Sequence, residues 1–69
     1  MVTSKIFFKR LRELRFRYGL TQNELAEIIG ISQKSYSHWE TQKTEPSFEN
    51  LIKLADLFEV SLDYLLGRE

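Results

Sequence analysis

Apolar positions recur along the chain with helical spacing, and polar caps and glycines cut that pattern into five segments. Phe7, Leu11, Leu14 and Tyr18 make one stripe of a helix expected over residues 6–18. Thr3 or Ser4 is its expected N-cap, and Gly19 its end. Thr21 with Glu24 three residues later forms a capping box, and Leu20 with Leu25 can staple it, so a second helix runs from there to Ile29 and stops at Gly30. Ser32 caps a third helix, Gln33–Thr41, where Ile31 and Tyr36 repeat the staple. Pro46 and Ser47 open a fourth that reaches Phe58 and buries Leu51, Leu54, Ala55 and Phe58. Ser61 caps a short fifth, stapled by Val60 and Leu65 and ended by Gly67. Nothing alternates with period two for long enough to make a strand. The expected fold class is therefore all-α, a compact five-helix bundle around one core.

Length and composition narrow the picture. Sixty-nine residues make one domain, expected over 1–69, and a chain this short buries only about 60% of its unfolded surface, so each apolar residue is needed in a single core. With 42% hydrophobic and 29% charged residues the balance is that of a soluble globular protein. The absence of cysteine excludes disulfides and thiolate sites, and one histidine cannot build a histidine-rich metal site, so neither metal nor cofactor is expected. Apolar runs are too short for a membrane span or a signal peptide, which makes a cytoplasmic location the expectation.

Net charge is zero, yet its distribution is uneven. Residues 1–19 carry Lys5, Lys9, Arg10, Arg12, Arg15 and Arg17 against Glu13, while residues 45–69 hold six carboxylates against Lys53 and Arg68. Such polarity suits a binding surface for a polyanion, although a charge-rich helix is also simply a solvated face.

The second and third helices carry the functional signal. A helix of about eight residues, a three-residue turn and a helix of about nine make a helix-turn-helix unit over 22–41, with Ala26 small at the crossing, Gly30 freeing the turn and Ile31 anchoring it. Any two packed helices also need a small residue and a glycine, so these alone are not decisive. At about 100° per residue, Tyr36 and Trp39 share one side of the third helix and point to the core. Gln33, Lys34, Ser37, His38 and Thr41 share another arc, where every side chain can hydrogen-bond and none is acidic. Glutamine can pair with adenine N6/N7, and lysine can donate to guanine O6/N7.

The segments LTQNELAEIIGIS and EPSFENLIKLADLFEVSLDYLLG, within a span of about Leu11 to Leu65, resemble the phage Cro/repressor-type (XRE-like) helix-turn-helix family. The resemblance implies a lambda-repressor-like DNA-binding domain whose second and third helices read DNA. It implies base contacts from Gln33, Lys34, Ser37 and His38, and phosphate contacts from Gln22, Ser32, Thr41 and Lys43. It also implies that Arg15 and Glu40 pair to link the first helix to the reading helix, and Arg15 does lie beside the first apolar stripe. The sequence departs from the family at Gln42 and Glu59, where glycine is frequent, and at Tyr36, whose hydroxyl needs a partner. Phe8 stands at a commonly small position, and Phe16 faces away from the stripe.

The expected function is sequence-specific binding of double-stranded DNA by a transcriptional regulator, a repressor above all, near the nucleoid. One such module has limited contact area, so a homodimer on a near-palindromic operator is expected, with half-site centres roughly 10 base pairs apart. Leu57, Tyr64 and Leu66 are candidates for the dimer surface, with peripheral core as the alternative. An antitoxin or other protein-interaction module of the same fold is the rival reading. A membrane-surface helix over residues 5–12 is another, disfavoured because the rest of the chain supplies a core for it to pack on. His38 lacks companions for a metal site; Asp56, Glu59 and Asp63 fall on separate turns as a solvated face; and no nucleophile–base pair or phosphate-cradling loop suggests an enzyme. With no room for a ligand-sensing domain, any signal is expected to act through a partner, through proteolysis or through residues beyond this chain.

Overall fold

The structure, a computed structural model, describes residues 5–68. Five helices follow one another: α1 Lys5–Arg17, α2 Gln22–Ile29, α3 Gln33–Glu40, α4 Phe48–Phe58 and α5 Leu62–Leu65. Thr3 and Ser4, expected as caps of α1, lie outside the described residues. Short polar side chains start the other four. Thr21 Oγ1 accepts from the Glu24 amide at 3.0 Å while Glu24 Oε1 accepts from the Thr21 amide at 2.8 Å, which completes the capping box. Ser32, Ser47 and Ser61 each accept one first-turn amide in the same way.

The five helices also end alike. The amides of Leu20, Ile31, Lys43, Val60 and Arg68 each reach back to a carbonyl five residues earlier, at 2.7–3.1 Å. That closure needs a left-handed residue just before the donor. Glycine fills the place after α1, α2 and α5, but Gln42 (φ 65°) and Glu59 (φ 56°) fill it after α3 and α4. The two sequence departures are thus positions where a side chain is held in glycine's conformation.

The core gathers Phe7, Leu11 and Leu14 from α1 with Leu25, Ala26 and Ile29 of α2, Tyr36 and Trp39 of α3, the four α4 positions and Leu65. Phe8 is buried too, its ring edge-on to Phe7 at 5.0 Å. Tyr18 keeps the helical phase of the stripe, its amide donating to the Leu14 carbonyl at 3.0 Å, but just past the end of α1 it is 45% exposed and not buried with the others. It lies as a cover over Phe58, with rings 5.1 Å apart and its hydroxyl donating to the Phe58 carbonyl at 3.0 Å. Thr41, expected inside α3, is its C-cap instead, and Ser47 likewise stands just outside α4. Among the described residues no helix is long and apolar enough to cross a membrane.

A left-handed non-glycine residue costs roughly 1–2 kcal/mol, part of which glycine returns through its freer unfolded chain. Glu59→Gly should therefore raise stability by about 0.5–1 kcal/mol, or roughly 3–6 °C in Tm by calorimetry. An unchanged or lower Tm would show that Glu59 sits there unstrained.

Candidate nucleic-acid interface

Helix α3 presents two chemically different sides. Tyr36 and Trp39 are buried, their rings edge-on at 5.8 Å. On the outer arc Gln33, Lys34 and Thr41 are exposed, Ser37 and His38 half-buried, and none of these five side chains is acidic. Gln33, Lys34 and His38 spend no side-chain donor within the described residues, and the same holds for exposed Lys43 in the following turn. The Ser37 hydroxyl is likewise unspent among the described residues, but those of Ser32 and Thr41 are engaged. Ser32 accepts from the Ser35 amide and donates to Ser35 Oγ, both at 3.1 Å, while Thr41 donates to the Ser37 carbonyl at 3.1 Å. The hydroxyl hydrogens of both residues are therefore spent inside α3. An anion accepts but cannot donate, so Lys43 keeps donors for it that Ser32 and Thr41 do not.

The carboxylate of Glu40 sets the position of this arc. It accepts from Arg15 Nε at 2.6 Å and Arg15 Nη2 at 3.2 Å, from Gln22 Nε2 at 3.0 Å and from the Tyr36 hydroxyl at 2.5 Å. One side chain at the end of α3 thereby joins α1, the first residue of α2 and α3 itself. Arg15, 8% exposed, also donates from Nη1 to the Leu20 carbonyl at 3.0 Å, which ties the pair to the α1–α2 turn. Phe16, whose packing the sequence left open, lies with its ring centre 4.6 Å from the Arg15 guanidinium and is 61% exposed. Its ring flanks the ion pair without joining the core.

Burial alone would push the Glu40 carboxyl up, but hydrogen bonds from Arg15, Tyr36 and Gln22, with the charge of Arg15, outweigh it and hold the group below the ordinary carboxylate range. Its hydrogen bond to Glu40 raises Arg15 in turn, against the opposing effect of burial. Burial, then the bond to Glu40, pushes the Tyr36 phenol well above its usual range, so it stays a neutral donor. A glutamate in the last turn of a helix opposes the helix dipole, so Glu40 depends on these donors to be tolerated there.

Among the residues singled out from the sequence, Arg15 and Glu40 meet. Gln22 stands at the start of α2, where one of its two amide hydrogens is committed to Glu40 and the other remains. Sequence reasoning did not place Gln22 or Tyr36 on Glu40. The four-residue spacing of Tyr36 and Glu40 was a usable signal, whereas Gln22 reaches across 18 residues. Leu57, Tyr64 and Leu66 are partly buried against the core, and Arg10 stacks on the Tyr64 ring at 4.1 Å.

Comparison with known proteins identifies the family and the fold. A family model described as Helix-turn-helix matches residues 9–65. The uncharacterized HTH-type transcriptional regulator YobD of Bacillus subtilis is 44% identical over 62 residues, 90% of this chain and 55% of that protein. The cryptic phage CTXphi transcriptional repressor RstR of Vibrio cholerae is 43% identical over 60 residues, 87% of this chain and 54% of its own length. The chain thus spans about half the length of the curated relatives it matches. Among solved structures, the P22 c2 repressor protein in complex with synthetic operator 9T superposes with a TM-score of 0.85 at 33% identity, covering 96% of this chain and all of that one.

Breaking a buried pair by removing one partner costs about 3–5 kcal/mol. Glu40→Gln should lower stability by about 3 kcal/mol at neutral pH in urea unfolding. Because the folded carboxyl sits below its ordinary range, its contribution is complete above that range and is lost as pH falls through the lowered value. The gap between wild type and variant should accordingly narrow below about pH 4. A gap that stays constant down to pH 2 would contradict the charge-based reading.

Proposed function

Since the chain belongs to the helix-turn-helix family, we propose that it binds double-stranded DNA in a sequence-specific way and acts as a transcriptional regulator, a repressor in the first instance. The observation that carries this reading is the acid-free outer arc of α3, held in a fixed attitude to α1 and α2 by Glu40. An α-helix fits the major groove, where base edges present distinguishable patterns of donors and acceptors. Gln33 and Lys34 in the first turn of α3 take base edges, with Ser37 and His38 one turn on. Gln22, with its remaining amide hydrogen at the start of α2, and Lys43 take phosphates. Ser32 and Thr41 stand beside them but must surrender an internal bond before donating, so they add less.

On this reading residues 1–69 work as one module, with the reading unit over 22–41, and two copies bind a near-palindromic site. The partly exposed edges of Leu57, Tyr64 and Leu66 are proposed for that pairing. The role is one of binding rather than catalysis, in the cytoplasm where the DNA lies, with no cofactor or metal. The P22 c2 repressor, whose structure holds an operator, supports the choice of partner.

Selection of bound sites from a randomised duplex pool should enrich a two-fold symmetric motif. Against that motif, Gln33→Ala or Lys34→Ala should cost about 1–3 kcal/mol at particular base pairs and relax the preference there. Lys43→Ala should weaken all duplexes alike and reduce the slope of log K against log salt by about 0.9. Equal loss on every sequence for Gln33→Ala would contradict base reading.

A further inference from the structure

The outward side of α1 carries a cationic row that the DNA reading does not use. Lys5, Lys9 and Arg12 border a cleft of about 360 Å³, together with Phe16 and the buried Phe8, and Glu40 and Gln42 complete its lining. Among the described residues no carboxylate lies within ion-pair distance of these three cations, although Glu13 also borders the cleft. The surface is therefore a basic groove with aromatic walls.

Helix α4 bears the complement. Phe48, at 69% the most exposed of the large apolar side chains, recurs with Ile52 (39% exposed) and exposed Asp56 at every fourth residue, on one outward face. Exposed Glu49 flanks that face and Glu45 precedes it; the opposing charge is Lys53, which reaches the Ile29 carbonyl at 3.5 Å. An acidic face with unpacked apolar side chains and a basic groove with aromatic walls thus both occur on the same chain.

We propose that these surfaces are two halves of one contact between copies: the α4 face of one copy seats in the α1 cleft of another, with Phe48 and Ile52 against the aromatic walls and Glu49 and Asp56 against Lys9 and Arg12. A free phosphate would use the cations but not the phenylalanines, whereas an acidic helix bearing Phe48 uses both. The contact is heterologous, joining two different patches, and is separate from Leu57, Tyr64 and Leu66. It is weak in free solution and strengthens where neighbouring copies are held together, because effective concentration then replaces bulk concentration.

The test needs only the folded chain. Sedimentation equilibrium at low ionic strength compares wild type with Lys9→Glu/Arg12→Glu and Glu49→Lys/Asp56→Lys, circular dichroism first showing that each variant melts cooperatively. All four positions are exposed, so folding should survive. Wild type should self-associate, less so as salt rises, and each variant alone should associate at least tenfold more weakly. An equimolar mixture of the two variants should associate like wild type, since both pairings become attractive again. A monomeric wild type or a monomeric mixture would overturn the proposal. So would a Lys9→Glu/Arg12→Glu variant that associates normally and loses only DNA affinity, which would assign the cleft to phosphate.

Discussion

Four hydrogen bonds converge on the carboxylate of Glu40, and through them three helices acquire a fixed relation. Helix α3 has eight residues, too few for a helix to persist by its own backbone bonds. Packing of Tyr36 and Trp39 buries one side but leaves rotation and sliding weakly determined. The bidentate Arg15 pair and the amide of Gln22 remove that freedom, because each is directional and each comes from a different helix. Since a buried ion pair contributes little net stability, the value of this one lies in orientation.

The same economy runs through the ends of α3. The Ser35 amide in its first turn is satisfied by the Ser32 hydroxyl, and carbonyls of its last turn by the turn through Gln42. With the hydroxyls of Ser32 and Thr41 absorbed in this closure, the donors left on the outer arc belong to Gln33, Lys34, Ser37 and His38. Strain enters at Gln42, next to the ion pair, so the left-handed turn that aims Lys43 outward is coupled to the same part of the structure.

Local chemistry explains why much of this was legible in the amino-acid order. Caps such as Thr21 with Glu24 act over three residues, and the α4 stripe acts over turns of one helix, so both can be read in place. The prominence of Gln42 and Glu59 as departures from glycine also translated into backbone geometry, since φ is a local property. Tyr18 keeps the phase of the stripe, yet periodicity says nothing about how completely its neighbours cover a residue at the helix end. Phe8 lies at the margin of the stripe, and only the tertiary packing decides that it is buried while Phe16 is not. The reach of Gln22 to Glu40 depends on how α2 crosses α3, and no spacing rule encodes that, whereas Tyr36 and Glu40 stand four residues apart on one helix.

The claim that this carboxylate orients the reading helix can be measured directly. Residual dipolar couplings of the backbone amides, compared between wild type and Glu40→Gln under conditions where both are folded, report the direction of α3 relative to α1 and α4. The account predicts reduced or reoriented couplings confined to α3 and its following turn, with those of α1 and α4 sharing one unchanged alignment frame. Couplings for Gln33–Glu40 that fit the wild-type orientation as well as before would contradict it.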